Sequence, residues 1–149
     1  MIRPPQLAAN TLFAMTSNTA VVDTAGCTVE QPGPGLVVCR YKAAAHVDGR
    51  TVRETLAARM SLPGSSPHTV VTIFPADATF EMSLFDRDIY QEAPVVAMTR
   101  ALAFVVQNDL MESMVNLYFA YHPTRLAKQV FQTETEALDW ARRQVGLPG

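Results

Sequence analysis

The chain has 149 residues, 48% of them apolar and 17% charged, with a formal net charge of −2. That length and balance describe one ordinary globular domain with a sizeable core, and argue against a disordered chain. There is no basic excess to neutralise phosphates, so a nucleic-acid partner is not expected.

The first twenty residues, Met1–Ala20, hold one Arg and a short apolar patch at Leu12–Met15. That is too weak for a secretory leader and too short for a membrane span. We expect a loosely ordered or accessory segment over 1–20, a folded domain over 21–149, and a soluble, cytoplasmic protein. Two short extended runs follow, Cys27–Gln31 and Leu36–Tyr41, joined by "PGPG", whose Pro and Gly supply turn dihedrals and imply a hairpin. Cys27 and Cys39 lie on its two strands without zinc-ligand spacing. A disulfide is geometrically conceivable, and reduced core thiols are the plainer reading.

Asp48 is a plausible N-cap for a helix over Asp48–Met60, where Val52, Leu56 and Met60 share one face. "HTVVTIF" (His68–Phe74) is apolar and β-branched on both faces, as in a strand of a parallel sheet. Met82, Phe85 and Ile89 form an i, i+3, i+7 stripe that predicts a helix over Thr79–Gln91. Pro94 ends it, and a short turn follows over Val95–Thr99. "ALAFVV" (Ala101–Val106) is a second doubly buried strand, and Leu126–Phe131, with Lys128 and Gln129, suits an edge. The clearest helix start is "TETEALDWARRQV": Thr133 and Glu136 make a capping box, and Ala137, Leu138, Ala141 and Val145 form an apolar stripe bordered by Trp140.

The predicted order is ββαβαβαβα, a small, mostly parallel sheet with an antiparallel N-terminal hairpin strand. The strand ending Val130-Phe131, the capped turn Thr133–Glu136 and the "EAL" of Glu136–Leu138 with Trp140 resemble the closing motif of stand-alone STAS/SpoIIAA-like domains of bacteria. The preceding element order fits that fold from about Cys27. The resemblance implies an α/β sandwich acting as a regulatory or interaction module without catalysis. It also implies that some members take nucleotides or apolar small molecules. Relatives that work as phosphoswitches carry an Asp-Ser pair after the central strand. Here that loop reads "FPADATFEMS", without the pair, and Thr79 reads first as a helix N-cap.

The remaining polar residues suggest no catalytic centre, cofactor site or metal site. His46, His68 and His122 sit at element ends and read as surface or capping residues. Ligands of open α/β sheets bind beyond the carboxyl ends of the strands. Asp77, Thr79 and Asn108 are therefore the pocket-loop candidates, against a plain reading as caps and turns.

Between the last two strands, "NDLMESMVNLYFAY" (Asn108–Tyr121) is a helix with two apolar stripes about 100° apart. Leu110, Met114, Leu117 and Tyr121 form one; Met111, Val115, Tyr118 and Phe119 form the other. One stripe must pack on the sheet. The second group is the candidate for core, for a homodimer or protein-partner surface, or for the lining of an apolar ligand pocket. The expected function is a self-associating interaction module, with a carrier or sensor of an apolar small molecule as the alternative.

Overall fold

The computed structural model describes residues 20–63 and 67–145. The expected accessory segment therefore lies outside the described residues except for Ala20. That residue opens β1 (Ala20–Asp23), which pairs antiparallel with β2 (Cys27–Gly33), so the hairpin is extended by a strand that the sequence reading omitted. β3 (Leu36–Tyr41) returns antiparallel to β2 through Pro34 and Gly35. Gly35 has φ +73°, the left-handed value a glycine accepts without strain after a proline.

From β3 the sheet is parallel. β5 (His68–Ile73), β7 (Thr99–Val105) and β8 (Ala127–Phe131) complete the order β1-β2-β3-β5-β7-β8. Every residue of β5 is buried, because both faces of the sheet are covered. One face carries Val38, Val71 and Ala103 under α4 (Glu134–Val145), whose Ala137 and Ala141 are buried against them. The opposite face carries the register row Cys39, Thr72, Phe104 and Val130. It is covered by α1 (Gly49–Ser61) and α3 (Asp109–Tyr121).

The helix starts follow the sequence. Asp48 Oδ1 accepts the Thr51 N–H at 2.9 Å, and Asn108 Oδ1 accepts the Met111 N–H at 2.9 Å. Thr133 Oγ1 accepts the Glu136 N–H at 3.3 Å and donates to the Glu136 carboxylate at 2.9 Å.

Two expectations are corrected. The segment predicted as a helix over 79–91 opens instead with β6 (Thr79–Phe80), which pairs in parallel with β4 (His46–Val47). Two 3-10 turns follow, Met82–Asp86 and Ile89–Gln91, with an extended Arg87 between them, and then a short α2 (Ala93–Met98) with Pro94 in its first turn. Tertiary pairing of Thr79 and Phe80 overrides the local stripe: Met82 is 63% exposed while Leu84 and Ile89 are buried. In α1 the inward face is Thr55, Ala58 and Arg59, and Met60 points to solvent.

Candidate functional site

α3 settles which of its stripes meets the sheet. Met111, Val115 and Phe119 are buried on it, and Tyr118 is half-buried beside them. Leu110, Leu117 and Tyr121 are exposed. The candidate group at Met111, Val115, Tyr118 and Phe119 thus packs into the chain's own core, while of the other stripe Leu110, Leu117 and Tyr121 are exposed and Met114 is half-buried and lines the cavity between the helices. The two stripes differ by only one residue's rotation, and local pattern cannot choose between them.

α3 and α1 do not close completely on each other above the sheet. Between them lies a partly open cavity of about 120 Å³. Val70, Thr72 and Phe104 form its floor. Thr55, Leu56 and Arg59 of α1 make one wall, and Val115, Tyr118 and Phe119 of α3 the other. The 3-10 turns supply the roof through Ile89 and Tyr90. Tyr118 fastens this roof: its hydroxyl donates to the Arg87 carbonyl at 2.6 Å and accepts the Ile89 N–H at 2.9 Å. His122 Nε2 makes a 2.6 Å hydrogen bond to the Phe85 carbonyl, a second pin from the same helix. For scale, an engineered apolar cavity of about 150 Å³ stays dry and takes benzene.

The polar groups at the cavity are few. Tyr41 Oη and Thr55 Oγ1 are 3.3 Å apart, and the Thr55 hydroxyl donates onward to the Thr51 carbonyl at 3.0 Å. Burial pushes the phenols of Tyr41 and Tyr90 well up, so both stay neutral. Cys27 and Cys39 are buried free thiols. Cys39 lines the cavity, and its hydrogen bond with Cys27, together with burial, pushes its thiol up.

Arg59 is only 3% exposed. Its Nε donates to His68 Nε2 at 3.1 Å and its Nη2 donates to Thr99 Oγ1 at 2.7 Å. Burial pulls the guanidinium down from its ordinary value, but from a starting point so high that it stays charged. His68, expected at the surface, is 1% exposed, because it is enclosed with Arg59 between α1 and the sheet.

The pocket-loop candidates do not reach this cavity. Asp77 Oδ1 accepts the Ala44 N–H at 2.8 Å, bracing a residue held at φ +59°. Thr79 is an exposed strand residue 2.8 Å from His46 Nδ1, not a helix cap. Asn108 caps α3. The residues the sequence reading missed are Arg59, Thr55 and Tyr90. Arg59 carried one usable signal, since it lies seven residues after Val52 and so on the apolar side of its helix.

A second hollow of about 290 Å³ lies between α3 and the edge strand β8, with Glu112, Asn116 and Lys128 in its lining. Its charged rim marks it as a hydrated groove rather than an apolar pocket.

Residues 33–144 match the model of a family described as a domain of unknown function, DUF7793, and the chain belongs to that family. The curated proteins hold no match to it. Among solved structures it is similar to an uncharacterised protein of the DUF3478 family with a SpoIIAA-like fold, from Shewanella loihica PV-4. The two share 13% identity over 86% of this chain and 99% of that one, with a TM-score of 0.47.

Proposed function

We propose that this DUF7793 member is a non-catalytic STAS-like module that binds a small, largely apolar molecule between α1 and α3, as a sensor or carrier. The observation that carries this reading is the cavity itself, apolar over most of its lining, with Arg59, Thr55 and Thr72 the exceptions, and of the same order of volume as a cavity that takes a single ring. The titratable pairs of the surface lie elsewhere: His46 is 3.9 Å from Glu81 and His122 is 3.9 Å from Asp88, neither pair within the lining. The groups that do line it are an arginine, a buried thiol and phenols held neutral, a set suited to recognition rather than to proton transfer. Native mass spectrometry of freshly purified protein tests the proposal. A small-molecule adduct that leaves on mild activation is expected. A bare protein whose unfolding midpoint is also unmoved by saturating toluene overturns it.

One observation favours a second, compatible role. Leu110 and Tyr121 are 73% and 64% exposed on the outer stripe of α3, with Leu117 between them, a face suited to self-association or to a protein partner. Sedimentation decides the homodimer. A concentration-dependent dimer that is lost in Leu117→Glu supports it, and a strict monomer at micromolar concentration removes it.

A further inference from the structure

Burying a charge without a counter-charge is costly, and folded proteins rarely leave one so. Arg59 is such a case. It is almost fully enclosed, and among the described residues no carboxylate lies within ion-pairing distance of it. Its two side-chain partners, His68 Nε2 and Thr99 Oγ1, are acceptors rather than anions. Those two bonds use only two of the five N–H groups that a guanidinium presents. The side chain also borders the cavity, along with the phenol of Tyr90.

We propose that the ligand is a small monocarboxylate, aromatic or short and branched, whose apolar body fills the cavity and whose carboxylate is seated on the Arg59 guanidinium. The inference deepens the ligand-binding reading above and rests on it. A planar guanidinium matches a carboxylate through parallel hydrogen bonds, and a low-dielectric setting strengthens them. His68 and Thr99 are positioning residues, fixing the plane of the guanidinium through its Nε and Nη2. The volume suits a ring or a short chain. A phosphorylated or multiply charged ligand does not suit it, because a single cation and an otherwise apolar lining leave the extra charge unanswered.

Isothermal titration of the full chain with benzoate and with toluene, its neutral counterpart, tests this. Benzoate is expected to bind at least tenfold more tightly than toluene. Arg59→Met, which keeps length and loses charge, is expected to abolish that preference while toluene still binds. Equal affinity for the two probes, or a preference that survives in Arg59→Met, overturns the assignment of Arg59. Failure of both probes to bind overturns the ligand-binding reading beneath it. If Arg59→Met does not fold, carboxyl-13C benzoate bound to the unaltered protein gives the answer. A carboxylate paired with Arg59 stays ionised to lower pH than free benzoate. One that titrates at higher pH, as burial without a cation would cause, contradicts the proposal.

Discussion

Tyr118 joins α3 to the segment that roofs the cavity through two hydrogen bonds from one hydroxyl, to the Arg87 carbonyl and from the Ile89 N–H. Tyr118→Phe removes both and leaves two backbone groups without partners. We expect a loss of about 1–3 kcal/mol, measured by urea unfolding, with faster amide exchange at Ile89 than elsewhere in the roof. Full retention of stability contradicts the role given to the hydroxyl. Arg40 and Glu134 form a paired hydrogen bond, at 2.7 and 3.1 Å, that ties the start of α4 to β3. The hydrogen bond from Arg40 holds the Glu134 carboxyl below its usual value. Its contribution is therefore present above the unfolded-state carboxyl pKa and is lost as pH falls through the lower, folded-state one. Both side chains are more than two-fifths exposed, so the effect is small, about 0–1 kcal/mol. Glu134→Gln is expected to cost that much at pH 7 and nothing once the carboxylate is protonated. An equal cost on both sides of that transition assigns the contact to packing instead.

At the scale of elements, α3 shows what periodicity reveals and what it leaves open. Its length, its Asn108 cap and its two apolar stripes are all legible in "NDLMESMVNLYFAY". The stripe that faces the sheet is not, because a rotation of about 100° exchanges them and both are equally apolar. Docking on Phe104 and its neighbours decides the matter. The difference is measurable: Phe119→Ala is expected to cost about 3–5 kcal/mol, while Leu117→Ala stays within about 0.5 kcal/mol. Similar costs for the two contradict the orientation. The crossover at 79–91 departs from its local pattern for a related reason. Met82, Phe85 and Ile89 keep helical spacing, but Thr79 and Phe80 gain backbone partners in His46 and Val47, more than thirty residues away, and no local window contains that information. What replaces the helix is the roof of the cavity.

For the whole molecule, the sheet was the most readable part. β5 and β7 are apolar on both sides because each face is covered by helices, and double burial imposes that composition directly. The hairpin and the capping box of α4 were legible because their signals are local. β1 was missed because its four residues alternate only weakly and lie beside the uninformative N-terminal segment. The cavity was invisible for a different reason. It exists only where α1, α3, the sheet and the 3-10 turns fall short of filling one another, and its single charge sits on a helix that otherwise reads as ordinary. The apolar candidates Val115, Tyr118 and Phe119 line it; the loop candidates Asp77, Thr79 and Asn108 do not. Sequence pattern thus singled out one wall of the cavity, but not the arginine in the other.

The most direct test of the central claim is a methyl-resolved NMR titration with benzoate. Shifts are expected at Val70, Ile89 and Val115, which line the cavity, and none at Val38 or Val71 beneath α4. No shift at the first group, or equal shifts on both faces of the sheet, would contradict it.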